Sequence, residues 1–213
     1  RYSANFDSPE KIVIRQTSDR LIATLDTQKF VCMKNMHVIN PKDKNYNLKY
    51  VLAIINSKLM DYYYETLNPE KGEVLAEVKK ENVEKLLIKV IEPENQKPFI
   101  NLVDYLLYLN DKKSKQILDH TTNERLASNI EEVLNMMVYN LYFEDHMKTN
   151  DLDVLQFIQP KPIDILDKDE EKAEVIKNFY LWLQTADNKV RQRINSIDIK
   201  SPNVLSVINI ASK

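Results

Sequence analysis

The sequence predicts an α+β protein. A mixed α/β domain with a short twisted β-sheet is expected over residues 1–92, followed by a mainly helical domain over residues 93–213. Before Pro93, short apolar runs with a two-residue period alternate with polar turns, which is typical of strands. After Pro93, apolar residues recur at intervals of three and four, which is typical of helices buried on one face. A chain of 213 residues is long enough for two modest domains that each bury a core.

Short strands dominate the start of the first domain. The segment Gln16–Arg20 is a polar turn that suits a hairpin, and Lys34-Asn35 is a second turn. The strands are expected in two pairs around these turns: Lys11–Arg15 with Leu21–Asp26, and Phe30–Met33 with Met36–Ile39. Their two-residue period indicates that each strand has one polar face.

The rest of the first domain mixes helix and strand. One helix is predicted from Leu48 to about Leu67, with Asn47 as its N-cap. A strand over Glu73–Lys79 and a short helix capped at Glu81-Asn82 are expected next. Leu86–Ile91 has the composition of a buried strand or an extended segment.

Four helices are predicted in the second domain: Lys97–Asn110 opening with Pro98, Asn123–Phe143, Asp151–Ile158, and Glu170–Leu183. Phe179, Trp182 and Leu183 are expected in the core. From about Arg191 the pattern returns to short β-like runs such as Asn203–Ile210.

The glycine count excludes several classes of ligand site. Gly72 is the single glycine, whereas phosphate loops and dinucleotide fingerprints need several, and loops that bind S-adenosylmethionine are usually glycine-rich. Asn40-Pro41 and Asn68-Pro69 do not continue into the Pro-Tyr or Pro-Phe of an amino-methyltransferase loop. We therefore exclude a self-contained methyltransferase.

Cysteine usage and hydropathy bear on location. Cys32 is the single cysteine, so an internal disulfide is impossible, which fits a reducing cytoplasm. No apolar run approaches the length of a membrane span and no signal peptide opens the chain. We expect a cytoplasmic protein with no membrane partner.

The charge is unevenly distributed. Residues 1–91 contain 15 Lys and Arg against 12 Asp and Glu, whereas the net charge of the whole chain is −2. The first domain can therefore present a basic face while the second is acidic. The negative total charge also leaves open a protein-interaction module with no role in DNA binding.

Candidates for metal or nucleophilic chemistry are few. His37, His120 and His146 are far apart and lack partners at metal-ligand spacing, so we expect neither a zinc site nor catalytic residues. The triplet Glu77-Val78-Lys79, with Asp61 and Pro69-Glu70 upstream, has the order of a Mg²⁺-dependent nuclease. A small nuclease that uses Glu77 and Lys79 stays open as an alternative.

Three segments together resemble a known family. Ile12–Ala23, Lys49–Tyr64 and Ala76–Ile91 are similar to the TaqI-like C-terminal specificity domain, in that family's order. This domain is the target-recognition part of type IIG restriction enzymes and related adenine-specific DNA methyltransferases. The resemblance covers about residues 10–92, and its most specific piece is Ile55–Leu59 (INSKL) followed by aromatic residues.

The resemblance implies sequence-specific recognition of double-stranded DNA by a non-catalytic specificity fragment. A methyltransferase, and a nuclease, would be supplied by an N-terminal part of the same parent chain. S-adenosylmethionine and Mg²⁺ are expected only in that part, and no cofactor or metal in this fragment.

The residues support this function with suitable chemistry. Arginine can read guanine, glutamine and asparagine can read adenine, and lysines suit phosphates. The candidate DNA-binding residues are Arg15, Gln16, Thr17, Arg20, Lys34, Asn35 and His37, with Lys58, Lys79 and Lys80 as phosphate contacts.

Overall fold

The computed structural model describes residues 6–42, 45–68, 72–73, 76–111 and 114–211. Within them the chain forms two compact units, the first comprising the residues up to Gln96 together with Ala211 and the second comprising Lys97–Ile210. The predicted α+β class is confirmed, because a three-stranded antiparallel sheet lies in the first unit and helices make up most of the remainder. No helix in these ranges is both long and apolar enough to cross a membrane.

The sheet has the strand order β2-β1-β3, and both outer strands run antiparallel to β1. Its strands are β1 (Lys11–Arg15), β2 (Ala23–Asp26) and β3 (Met36–Ile39). Residues 11–14 of the central strand are all buried. Its three β-branched side chains pack well on a pleated surface, which explains why this run forms the centre of the sheet. The predicted hairpin of β1 and β2 is confirmed.

The segment predicted as a strand at Phe30–Met33 is an irregular loop. The Asp26 carboxylate accepts hydrogen bonds from the backbone N–H groups of Gln28 (2.8 Å) and Phe30 (2.9 Å). Lys29 has a φ of 56°, so the chain turns away from the ladder before Phe30. β3 therefore pairs with β1, and the expected pairing of residues 30–33 with residues 36–39 is wrong.

The long helix predicted up to Leu67 is two helices, α1 (Leu48–Ile55) and α2 (Lys58–Leu67). Asn47 caps α1 as expected, because its side chain accepts a hydrogen bond from Lys49 N at 2.9 Å. Ser57 begins the second helix by accepting one from Met60 N at 3.2 Å. Both helices contribute to the core of the first unit, through Tyr50, Ile54, Ile55, Met60 and Tyr64.

The remaining predictions for the first unit are confirmed only in part. The short helix is present as α3 (Lys80–Val83), but it begins before Glu81-Asn82, so the predicted cap at these residues is wrong. Residues 76–79 belong to no strand, and residues 74–75 of the predicted strand lie outside the described residues. Of the two alternatives for Leu86–Ile91, a buried strand is wrong, because the segment pairs in no sheet and Leu87 is 63% exposed; an extended segment is not contradicted.

The second unit is helical, and the helix α4 begins at the end of the first unit. The helices are α4 (Pro93–Asn110), α5 (Asn123–Tyr142), α6 (Glu144–Thr149), α7 (Asp169–Leu183), α8 (Lys189–Asn195), α9 (Ile197–Lys200) and α10 (Leu205–Ala211). α5 lies at the centre of the packing, since eleven of its residues are buried. Thr122 caps α5 by accepting a hydrogen bond from Arg125 N at 3.3 Å.

Several predictions for the second unit are wrong. α4 begins at Pro93, so Pro98 lies inside the helix and not at its start. The helix predicted at Asp151–Ile158 is a single 3-10 turn, Leu155–Phe157, and α6 precedes it. The β-like run Asn203–Ile210 contains the helix α10, because Ser201 Oγ accepts a hydrogen bond from Leu205 N (3.1 Å) and starts a helical turn there.

Candidate nucleic-acid interface

Two of the predicted contact loops lie at the same end of the sheet. β1 ends there, and β2 and β3 begin there, because both pair antiparallel to β1. Arg15 is the register partner of Met36, and one residue further Gln16 N donates a hydrogen bond to Asn35 O at 2.9 Å. The polar turn Gln16–Arg20 is therefore joined to Lys34-Asn35 through the backbone. We call this region the loop end of the sheet.

An extended segment, residues 76–79, is attached to the loop end. Val78 N donates a hydrogen bond to Gln16 O at 2.7 Å, and His37 Nε2 donates one to Val78 O at 2.6 Å. Ala76 and Val78 are buried whereas Glu77 and Lys79 are exposed, so the predicted alternation of faces is present without a strand ladder. The segment holds the side chains of Glu77 and Lys79 on the outside of the loop end.

Tyr64 of α2 and Asn68, which follows the last residue of that helix, also bind residues 76–79. The buried Tyr64 hydroxyl accepts a hydrogen bond from Lys79 N at 2.8 Å. Asn68 Nδ2 donates to Glu77 O at 3.0 Å and to the Tyr64 hydroxyl at 3.3 Å. The sequence analysis did not identify Asn68 as a positioning residue. A signal was present, because the Asn-Pro pair that ends the helix places an amide beside the following chain.

The break between α1 and α2 fixes the start of β2. Asn56 accepts a hydrogen bond from Ala23 N and donates one to Ala23 O, both at 3.0 Å. Asp61 Oδ1 accepts a hydrogen bond from Leu21 N at 3.1 Å. The segment Ile55–Leu59 (INSKL), the most specific piece of the resemblance, therefore has a structural role. Asn56 binds the edge strand β2, and Ser57 caps α2. Asn56 was not among the predicted site residues, and Asp61 was named only as an upstream carboxylate of the nuclease alternative.

The ten predicted DNA-binding residues differ in exposure. Gln16, His37 and Lys58 are half-buried, and the other seven are exposed: Arg15, Thr17, Arg20, Lys34, Asn35, Lys79 and Lys80. Backbone bonds join Gln16, Asn35 and the segment that ends at Lys79. Lys58 is the first residue of α2. The side chain of Asp61, in the same helix, binds the backbone N–H of Leu21, the residue that follows Arg20. Lys80 lies 3.5 Å from Glu84 in an exposed ion pair. The structure thus joins Gln16 to Val78, which is 62 positions further along the sequence, by a backbone hydrogen bond.

Two acidic groups lie among these cations. The Glu77 carboxylate is 3.4 Å from Gln16 Nε2, and Asp19 Oδ2 accepts a hydrogen bond from Gly72 N at 3.2 Å. Gly72 has a φ of 79°, a conformation that its missing side chain permits. Asp19 therefore ties the turn to residue 72 and helps to fix its shape.

The nuclease alternative requires a metal site near Glu77. Within the described ranges, no three His, Cys, Asp or Glu side chains are grouped so that they could hold a metal ion. Asp61, one of the proposed upstream carboxylates, accepts a hydrogen bond from Leu21 N. Pro69-Glu70, the other upstream element, lies outside the described residues.

A buried ion pair stabilises the opposite end of the sheet. Lys11 Nζ contacts Asp26 Oδ2, and the two side chains are 0% and 5% exposed. Burial raises the pKa of the Asp26 carboxyl, but hydrogen bonds from Lys11 and from the backbone N–H groups of Gln28 and Phe30 outweigh it and lower the pKa below its ordinary value. Because Lys11 and Asp26 are register partners, this pair fixes β2 against β1.

Comparison with known proteins agrees with the sequence resemblance. Residues 2–88 match the family model described as the TaqI-like C-terminal specificity domain. A proposed type II restriction enzyme and methyltransferase of Methanocaldococcus jannaschii is 28% identical over 152 residues, which are 69% of this chain and 12% of that protein. The chain thus spans a small fraction of the length of this relative. No solved structure matched. The resemblance predicted from the sequence is thus confirmed for residues 2–88, which are similar to the TaqI-like C-terminal specificity domain.

Proposed function

We propose that this chain recognises a specific sequence of double-stranded DNA and that it does so with the loop end of the sheet. The observation that carries this proposal is the convergence at Gln16, whose backbone N–H and carbonyl bind Asn35 and Val78. Three separate segments thereby form one polar surface. The match of residues 2–88 to a specificity-domain family supports the same function.

The side chains at this surface suit the two kinds of contact that recognition needs. Arg15 and Arg20 are exposed, and a guanidinium can bind a phosphate or the O6 and N7 atoms of guanine. Gln16 and Asn35 carry carboxamides, which can pair with the N6 and N7 atoms of adenine. The lysine Lys34 lies beside them and suits a phosphate.

The remaining candidates have more restricted roles. Lys58, Lys79 and Lys80 would bind phosphates, and the exposed ion pair of Lys80 with Glu84 is weak enough to exchange for a phosphate contact. The Nε2 atom of His37 already donates to Val78 O. Nε2 thus positions the segment, and Nδ1, the other ring nitrogen, would contact DNA.

Catalysis would be performed by another part of the parent protein. The name of the Methanocaldococcus jannaschii relative describes both a restriction enzyme and a methyltransferase, and the matched region is 12% of it. By analogy, we infer that the parent of this chain is a type IIG enzyme or an adenine-specific methyltransferase in the cytoplasm. S-adenosylmethionine and Mg²⁺ would bind to the catalytic part, while this chain contributes specificity and contains no catalytic residue.

Fluorescence anisotropy with a pool of random DNA duplexes tests this proposal. We expect binding at low salt that weakens steeply as salt increases, because phosphate contacts release counterions. The variant Arg15→Ala/Arg20→Ala should weaken binding, and each lost phosphate contact should reduce the salt slope by about 0.9. Sequencing of the duplexes that remain bound should reveal an enriched motif.

A matched variant controls for loss of charge alone. Lys168→Ala/Lys172→Ala removes the same charge at the start of α7 in the second unit and should leave DNA binding unchanged. Equal weakening by both double variants would mean that binding is not localised at the loop end. If neither the chain nor its full-length parent binds any duplex, the function proposed here is wrong and the protein-interaction module takes its place.

A further inference from the structure

The second unit contains a cavity that DNA recognition by the loop end does not use. It has a volume of about 510 Å³ and lies between α7 and residues 156–161. Val175, Asn178, Phe179 and Trp182 line it from α7, and their spacing of three and four places them on one helix face. Tyr105 of α4 is fully buried and closes the cavity on the inside.

Aromatic rings form much of the lining. The rings of Tyr105 and Phe179 meet edge to face with centroids 5.7 Å apart, and those of Phe179 and Trp182 are 5.3 Å apart. Phe157 lines the cavity from the other wall, with the guanidinium carbon of Arg193 4.7 Å from its centroid. Trp182 is 37% exposed, although the sequence analysis placed it in the core. Such surfaces favour a planar ring, which gains stacking energy that an aliphatic ligand lacks.

The wall opposite α7 is held in place before any ligand binds. Asn101 Nδ2 donates a hydrogen bond to Pro160 O at 2.8 Å, and the Tyr105 hydroxyl donates one to Lys161 O at 2.5 Å. Burial raises the pKa of Tyr105, so its hydroxyl keeps the proton that it donates. Pro160 and Pro162 fix the backbone on either side of Lys161. A wall fixed in this way loses little conformational entropy on binding.

The polar lining selects among planar ligands. Three carboxamides, Gln156, Gln159 and Asn178, line the cavity together with the cation Lys161, and no carboxylate is among the described lining residues. Asn178 Nδ2 donates to Glu174 at 3.2 Å, which orients the amide oxygen as an acceptor. Carboxamides pair with the amino and ring-nitrogen edge of adenine, and a lysine suits a phosphate.

We propose that this cavity binds an adenine nucleotide, with the base between the wall containing Trp182 and the wall containing Phe157 and with the phosphate near Lys161. The ligand chemistry is the same for a free nucleotide and for an unpaired adenosine within a DNA strand. The proposal stands independently of the loop end, because the residues that carry it all belong to the second unit.

Trp182 is the single tryptophan of the chain, so its emission reports on the cavity directly. The chain is titrated with AMP, adenosine, inorganic phosphate and a single-stranded adenine oligonucleotide, with excitation where nucleotides do not absorb. We expect saturable quenching by AMP, binding about fivefold weaker for adenosine, as for one exposed charge contact, and no quenching by phosphate. Quenching by the oligonucleotide without quenching by AMP would assign the site to a base within a strand.

Three variants localise the signal. Phe157→Leu should weaken binding about tenfold through lost stacking, and Lys161→Gln should make AMP and adenosine bind equally. Leu181→Ala is the matched control, because Leu181 is exposed on α7 beside Trp182 but does not line the cavity. The proposal is overturned if neither AMP nor the oligonucleotide changes Trp182 emission, or if Phe157→Leu and Leu181→Ala have the same effect.

Discussion

Asn56 and Ala23 are joined by two hydrogen bonds of 3.0 Å, one from Ala23 N to the amide oxygen and one from the amide nitrogen to Ala23 O. The side chain thus binds the outer edge of β2 as a neighbouring strand would. It connects the helix pair to the strand that follows the Gln16–Arg20 turn. The geometry of this turn therefore depends on a residue that lies far away in the sequence.

The first prediction concerns this contact. Asn56→Ala should destabilise the chain by about 1–2 kcal/mol, because two hydrogen bonds are lost while the backbone groups of Ala23 stay next to solvent. Asn56→Asp should have a smaller effect, because it keeps the acceptor for Ala23 N. Urea unfolding of the three proteins measures the difference. Equal stability of all three would show that the edge of β2 does not need this contact.

The second prediction concerns the attachment of residues 76–79. His37→Ala removes the hydrogen bond to Val78 O, so the segment should open more often and the Val78 amide should exchange with solvent about tenfold faster, which corresponds to roughly one hydrogen bond. Amide hydrogen exchange followed by NMR measures this rate. Tyr64→Phe removes the acceptor for Lys79 N and should act mainly on the Lys79 amide.

The control for that experiment is the amide of Val13, which lies in the central strand β1. The exchange rate of Val13 should be the same in the unsubstituted chain and in both variants, because neither substitution lies in β1. Faster exchange at Val13 and Val78 together would indicate that His37→Ala weakens the whole unit. The attachment described here would then not be a local one.

Local pattern predicted the strands and helices whose periodicity is unambiguous. β1, β3 and α5 lie where the sequence placed them, because each combines a regular apolar period with a clear polar boundary. The break between α1 and α2 was missed because apolar spacing continues across it. Ser57 was the available signal, since serine is a preferred N-cap and lies in the middle of the predicted helix.

Errors near the end of the chain have a different cause. The run Asn203–Ile210 is short and rich in β-branched residues, so its pattern does not separate a strand from a buried helix. Its helix depends on Ser201, which is also 2.8 Å from His146 Nε2 in another part of the unit. Such long-range contacts decide the structure of ambiguous runs and cannot be read from a local pattern.

The sequence predicted which polar side chains belong to the candidate site, but not the contacts that hold them together. The loops Gln16–Arg20 and Lys34-Asn35 were chosen for their polar side chains, and the structure joins them through backbone hydrogen bonds. Asn56, Tyr64 and Asn68 hold the surface together by binding backbone groups that are 33, 15 and 9 positions away in the sequence, respectively. The contact of Asn56 with Ala23 becomes evident only in the folded chain, whereas the Asn68-Pro69 pair was a local signal for a positioning residue.

The third prediction concerns the buried pair of Lys11 and Asp26. Lys11→Met should destabilise the chain by about 3–5 kcal/mol, because a buried carboxylate is left without its cation. Lys11→Met/Asp26→Leu should recover much of that loss, since no charge then remains to be buried. Glu174→Gln removes an exposed pair with Lys177 and should change stability by less than about 0.5 kcal/mol. Similar losses for all three variants would contradict this account.

The fourth prediction concerns the dependence of stability on pH. The pKa of Asp26 is lower in the folded chain than its ordinary value of 3.8, so the unfolded state binds this proton first. The contribution of Asp26 to stability is complete above the ordinary pKa and is lost as the pH falls through the lower, folded value. The free energy of unfolding should therefore decrease less on acidification in Asp26→Asn than in the unsubstituted chain. Parallel acid profiles would show that Asp26 is not stabilised in its charged form.

The last prediction separates DNA recognition from the nuclease alternative. We expect no nicking of supercoiled plasmid by this chain in Mg²⁺, because the carboxylate of Glu77 lies beside Gln16 and the described residues contain no group of three metal-binding side chains. Lys79→Ala should weaken duplex binding modestly, as the loss of one phosphate contact does, and should reduce its salt dependence. The opposite outcome is nicking of plasmid in Mg²⁺ that both Lys79→Ala and Glu77→Gln abolish. The loop end of the sheet would then be a catalytic site, and the proposal that it recognises DNA would be wrong.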